Sequence, residues 1–339
     1  MKNETKNDAL FTLIKTMVET PGPSGQEHLM REAIKVEIKG YCDEVVTDAL
    51  GNLIARKGKK SDEGRRIMIS AHMDEIGVMV THIDDNGFVR FLAIGGISPL
   101  TCIGGRVLFM NGVSGVIGVE RLEPNTMPKL ENLFIDTGAS SAMDSPVAVG
   151  DVAGFYRPAI QLGNRLVAKS MDDRIAVVIA IEAMKAVKSS PNELYFVFSV
   201  QEEVGIRGAA TAAFGVDPDL GLAVDVTRTG DTPKSNKMTV ALGNGPAIKV
   251  RDSSFIADKR IVDWMVEEAK AQKLPYQMEV LEAGGTDGRA IQMTRAGVPA
   301  GCLSIPCRYI HSPSEMVDRG DVENSIKLLT GLLSKEVTF

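Results

Sequence analysis

Aromatic side chains are scarce in this chain: one Trp, five Tyr and eleven Phe supply 5% of 339 residues. That leaves little from which to build the stacking platforms used by sugar- and single-strand-binding proteins. Cysteine is equally sparse, and Cys42, Cys102, Cys302 and Cys307 form no CxxC pair, the pattern of reduced packing residues rather than of disulfides or a thiolate metal site. Positive charge is not in excess: 38 Lys and Arg face 44 Asp and Glu for a formal charge of -6, and no stretch gathers basic and aromatic residues, so nucleic acid is not an expected partner. Long apolar runs are missing too. The opening MKNETKNDALFTLIKTMVET mixes charges among its apolar positions, which fits neither a signal peptide nor a membrane span; the expectation is a cytoplasmic protein without a membrane partner. At 44% hydrophobic and 24% charged residues, what remains is an ordinary globular chain.

Its organisation is read from periodicity. Two amphipathic helices, 8–18 and 26–38, are interrupted by PGPSG, whose prolines and glycines stop a helix. DEVVTD and NLIARKG read as a hairpin, and RRIMISAHMDE as an apolar strand ending at His72. From Gly77 to Ala159 short β-rich runs alternate with glycine turns, without a helical period. Helical and strand patterns then alternate through DRIAVVIAIEAMKAVK, ELYFVFSV, a helix after Gly208, LGLAVDV, DKRIVDWMVEEAKAQK and GCLSIP. The expected fold is α/β: a mostly parallel central sheet flanked by helices, residues 1–76 and 160–339, with a small all-β domain inserted at 77–159.

Sites in open α/β sheets collect beyond the C-terminal ends of strands. Those ends carry acids and histidines: IMISA leads to His72 and Asp74, FVFSV to Glu202 and Glu203, GLAV to Asp225, CLSIP towards His311, while Asp172 and Asp173 precede a helix. Each alone has a plain reading, as a cap or a solvated loop residue. Their convergence does not, because clustered carboxylates need protons or cations to coexist. Histidine among the acids favours zinc, cobalt or manganese over calcium or magnesium. His72, Asp172, Glu203, Asp225 and His311 are the candidate ligands, enough for two ions if one carboxylate bridges them. Adjacent Glu202 and Glu203 leave the backbone in different directions, so one can ligate while the other stands free as a base.

AHMDEIG (71–77), KSMDDR (169–174), VQEEVGIRGA (200–209), AVDVT (223–227), GGTDG (284–288) and IHSPSE (310–315) together resemble the M42, or glutamyl aminopeptidase, family, which includes the tetrahedral TET aminopeptidases. The resemblance implies a zinc-peptidase-like catalytic body and a metal-dependent aminopeptidase acting on short peptides. It implies His72 and Asp225 on one divalent ion, Glu203 and His311 on the other, Asp172 bridging, and Glu202 as general base on a metal-bridging water. Asp74 would accept a hydrogen bond from His72 and fix its orientation. The β insertion would serve dimerisation, and dimers would build a homo-oligomer of dodecamer size. Departures are small: KSMDDR stands where KALDDR is common, and a glycine follows Asp287 where alanine is frequent.

Paired carboxylates also suit a glycoside hydrolase, the endoglucanase-type alternative, which the scarcity of aromatics and the histidines at strand ends disfavour. A non-catalytic protein holding a structural metal would not need a free Glu202. Between Zn²⁺ and Co²⁺, and among acidic, aliphatic and basic N-terminal residues, the sequence does not choose; Arg289 and Arg308 are near enough in sequence to meet an acidic side chain or to be salt-bridged instead.

Overall fold

The computed structural model describes residues 8–235 and 237–339. Its main body is an eleven-stranded mixed sheet flanked by helices, and a separate six-stranded barrel stands beside it. At the centre of the sheet four strands run parallel, in the order Glu193–Ser199, Arg66–His72, Leu220–Thr227, Ala300–Arg308. They are apolar almost throughout, with Ile67, Ile69, Phe196, Phe198, Leu222, Leu303 and Ile305 buried, as strands covered on both faces must be. The expected parallel arrangement is concentrated here. On one side Leu53–Lys57 pairs antiparallel with Glu193–Ser199; on the other Glu315–Asp318 pairs antiparallel with the end of Ala300–Arg308, to which a connection too short for a crossover joins it, and Arg165–Ala168 extends the sheet antiparallel beyond it.

The helices start where side chains satisfy their first amides. Asp8 caps Ala9–Glu19 through Phe11 N at 3.3 Å, and Asp318 caps Arg319–Leu333 through Gly320 N at 2.8 Å. Leu13, Ile14, Met17 and Val18 line the buried stripe of the first helix. The helix Met171–Ala186 is buried nearly all round, packed between those two helices and the sheet.

The barrel closes through strands Gly77–Ile83, Val89–Ile94, Arg106–Phe109, Ser114–Val119, Leu133–Asp136 and Val152–Phe155. Val78, Val80, Phe91, Val107, Phe109, Ile117 and Ile135 fill it by inward alternation. Its first and last strands are paired at Gly77 and Gly154, so chain enters and leaves side by side. A Cβ on Gly77 would lie 2.5 Å from the Ala153 carbonyl, which makes the residue's smallness a condition of that pairing. All four cysteines are free, three of them buried. No helix among the described residues is long and apolar enough to cross a membrane.

Candidate metal centre

Register places the site. Ser199 stands opposite His72 across the parallel pair, and Asp225 lies two residues beyond the pairing of Ala223 with Ser70, so three strand ends reach the same edge. His311 arrives from the loop after Ala300–Arg308, and Asp172 from the segment after Arg165–Ala168. That segment is docked by a buried ion cluster in which Glu75 accepts from Lys169, Ser170 and Gly22 while Arg174 donates to the Met17, Thr20 and Gly22 carbonyls.

Asp172 lies between the two imidazoles. Its Oδ1 is 3.0 Å from His72 Nε2 and its Oδ2 is 3.3 Å from His311 Nε2. Glu203 Oε2 is 3.2 Å from the same His311 nitrogen, and Glu203 Oε1 is buried without a partner. Donor atoms of His72, Asp172 and Glu203 all lie within 4.8 Å of one another, and so do those of His72, Asp173 and Asp225. Glu202 approaches His72 Nε2 at 4.0 Å, and its carboxylate makes no hydrogen bond among the described residues. Asp74, fully buried, accepts from Ser24 Oγ at 2.6 Å and from the Glu202 and Glu203 amides at 3.0 and 3.2 Å, with its Oδ1 3.4 Å from His72 Nδ1. All seven predicted residues are thus gathered at one cavity of about 230 Å³ or directly behind it.

Four further residues at this edge are not among those seven. Asp173 has both oxygens buried and unpartnered, and Asp287 holds Ser70 and Ser199 hydroxyls with one oxygen left over. Glu315, at 1% exposure, accepts from Asp172 N at 2.8 Å and from His311 N at 2.7 Å, clasping two candidate ligands by their backbones. Gly96 comes from the barrel: a Cβ there would stand 2.7 Å from His311 Nδ1. The second Asp of MDD and the paired glycines of AIGGISP were the available signals. Non-glycine residues with left-handed backbone also cluster here, Ser170, Gln201, Tyr309 and His311 having φ between 55° and 64°, a strain that functional sites commonly store.

The electrostatics describe a cage of anions seeking positive charge. Burial would depress the His72 imidazole, but the Asp172 and Asp74 carboxylates raise it well above its ordinary value. His311, opposed likewise by burial and supported by Asp172 and Glu203, is pushed up to about 11. Burial first, then neighbouring acids, pushes Asp173, Glu202 and Asp225 well above the usual carboxylate range. Orphaned oxygens on Asp173, Glu203 and Asp287 are costly unless something binds them. Two neutral-capable imidazoles among carboxylates fit a transition-metal ion, and the residues present therefore suit the metal that the sequence called for.

The family model for M42 glutamyl aminopeptidase matches residues 51–328. The chain belongs to the M42 aminopeptidase family. A putative aminopeptidase of Acetivibrio thermocellus is 49% identical, the match covering 96% of this chain and 98% of that protein. Aminopeptidase APDkam598 from Desulfurococcus kamchatkensis superposes with a TM-score of 0.92 at 38% identity, over 96% of this chain and 94% of that one. The Pyrococcus horikoshii TET1 peptidase, described as assembling into a tetrahedron or a large octahedral shell, has a TM-score of 0.86 at 32% identity, over 96% and 99% of the two chains. The M42 chain described here is accordingly a peptidase that removes residues from peptide N-termini, with side chains able to bind the metal on which such peptidases depend.

Proposed function

We propose a two-metal aminopeptidase in which His72 and Asp225 hold one divalent ion, Glu203 and His311 the other, and Asp172 is shared between them. The observation that carries this reading is the Asp172 carboxylate, which offers one oxygen towards each imidazole. Zinc or cobalt bound there supplies Lewis acidity, polarising the scissile carbonyl and acidifying water towards neutral pH. Glu202 is the general base: it takes the proton of the attacking water and returns it to the leaving amine. Its freedom from hydrogen bonds, next to a Glu203 engaged with His311, supports that division of labour. Asp74 holds His72 by its Nδ1 side and fixes the Glu202–Glu203 turn through both amides. The carboxylates around the cavity also receive the substrate's free α-ammonium, which selects the end of a peptide over its middle. The lining of this cavity contains no Phe, Tyr or Trp, which disfavours a sugar-binding role for the paired glutamates.

Residues 1–76 and 160–339, of which 1–7 lie outside the described residues, form the catalytic body in this reading, and 77–159 the self-association module of a cytoplasmic homo-oligomer. Support comes from the barrel's outer face, where the cross-strand pair Met79 and Leu92 is 40% and 65% exposed. Dimers joined there would build the dodecamer, which light scattering coupled to gel filtration measures directly.

The decisive experiment is release of p-nitroaniline from a panel of aminoacyl p-nitroanilides, before and after chelation, with Zn²⁺ or Co²⁺ added back. Activity lost with chelator and restored by one ion is expected. Protein holding two metals per chain that cleaves no member of the panel would sink the reading.

A further inference from the structure

A short helix, Asp287–Gln292, packs against the sheet near the metal centre without lending it a ligand. Its first residue is 3% exposed, and Asp287 Oδ2 accepts from Ser70 Oγ at 2.6 Å and from Ser199 Oγ at 2.5 Å. Both serines are fully buried in largely apolar strands, and neither hydroxyl has another partner among the described residues. Ser70 stands two residues before His72, and Ser199 three before Glu202. Further along the helix, the buried Ile291 packs on Gly221, where an added Cβ would stand 2.4 Å from its Cγ2, four residues before Asp225 on the same strand. One helix is thereby docked on the three strands that lead to His72, Glu202 and Asp225.

The chain just before this helix forms a wall of the reaction cavity. Gly284 and Gly285 line it beside His72, Asp172 and Glu202, whereas Arg289, on the helix itself, is exposed and outside the lining. A Cβ on Gly285 would stand 3.2 Å from Ser254 Oγ and 3.4 Å from Ile206 Cδ1, and the Ile206 amide donates to the Glu202 carbonyl at 2.8 Å. The glycine wall therefore packs on the turn that carries Glu202. Strands 66–72 and 193–199 keep their register through their own backbone ladder, so the two hydroxyls are not needed to place the ligands. What they fix is the helix, and with it the wall.

Resting on the proposed roles of Glu202 and the metal ligands, we propose that Asp287 is a positioning residue of the reaction, holding the Gly284–Gly285 wall at a fixed distance from Glu202 and the metal centre. It does so by shape rather than by charge: one oxygen receives both hydroxyls, and the other, buried, has no partner to lose. The space between wall and base is where the scissile peptide bond must lie. Reactive geometry is steeply sensitive to such spacing, a displacement of about 1 Å costing on the order of 100-fold in rate.

The test uses the metal-loaded full chain as Asp287→Ala, Asp287→Asn and Ser199→Ala, each assayed on the p-nitroanilide that the natural protein cleaves fastest. Asp287→Ala is expected to keep the natural protein's metal content and to lose about 10- to 100-fold in kcat/KM, mostly through kcat, as a displaced wall would cause. Asp287→Asn should recover to within about threefold, because its amide oxygen can accept both hydroxyls. Ser199→Ala removes one of the two bonds; it should show a smaller loss of the same kind, and it carries the test if Asp287→Ala does not fold. Hydrogen exchange gives a readout without turnover. Amides of 287–294 should exchange faster in Asp287→Ala and regain protection in Asp287→Asn, with 66–72 and 193–199 unchanged. That pattern upholds the positioning even if none of the proteins cleaves a p-nitroanilide, a result that would count against the catalytic reading alone. Unaltered kcat and KM in whichever of Asp287→Ala and Ser199→Ala folds, a loss that Asp287→Asn does not restore, or a loss that follows metal content overturns the inference.

Discussion

Replacing Glu315 with alanine removes the one buried group that holds Asp172 and His311 together by their backbones. Both amides donate to it at 2.7–2.8 Å, and the carboxylate is 1% exposed, so water cannot readily take its place. Leaving the buried Asp172 N–H without an acceptor costs about 1–3 kcal/mol, and the partly buried His311 N–H adds less, for roughly 2–4 kcal/mol together. Glu315→Gln keeps one acceptor oxygen and turns an amide NH₂ towards the other donor, so about half of that loss is expected. If the clasp serves the metal centre as well as the fold, metal affinity should fall about 10- to 100-fold, as it does when groups behind a ligand are removed. The assay is Co²⁺ titration followed by its visible absorption, which reports ligand geometry, beside thermal melts of metal-free and loaded protein. The variants should lose more stability loaded than metal-free, with an altered Co²⁺ spectrum. A folded Glu315→Ala that binds two Co²⁺ with the parent's spectrum and affinity would refute the reasoning, because it would show that His311 and Asp172 hold their places unaided.

Glu202→Gln should retain both metals by elemental analysis while kcat falls about 10²- to 10⁴-fold, the usual worth of a general base; retained turnover would place the base elsewhere. Chelation should lower the melting temperature by upwards of about 5 °C, since ions present at 1,000 times their Kd contribute about 4 kcal/mol and the emptied cage is left with unpartnered carboxylates; an unchanged melt would mean the anions are relieved by protons instead. Gly96→Ala should weaken metal binding about tenfold, because the new methyl must displace the His311 ring that lies 2.7 Å away; it is read by Co²⁺ titration, and a null result would show that the barrel loop yields first.

Much of this site is legible in the sequence because polar residues punctuate apolar runs. IMISA and FVFSV read as buried strands, so His72 and Glu203 at their ends stand out against them. What stays hidden depends on neighbours that sequence order does not supply. The strand Glu193–Ser199 lies next to Arg66–His72, although barrel and helix separate them along the chain, and only that adjacency puts Asp74 under the Glu202 and Glu203 amides. Glu315 looks like any polar residue opening a strand; its pairing with Ala168 is what aims it at Asp172. Gly96 belongs by pattern to the barrel and by contact to the metal centre. Arg308, attractive by position, is spent on Asp231.

The side-by-side entry and exit of the barrel bears on how the site assembles. His72 and Asp172 are 100 residues apart, a long loop to close before their contact is rewarded. Once the barrel has folded and joined Gly77 to Gly154, only about 20 flexible residues separate the two, and the closure entropy falls by about 1 kcal/mol. A barrel that forms ahead of the large sheet would therefore act as a splint, because its paired ends already hold the two halves of the centre close together.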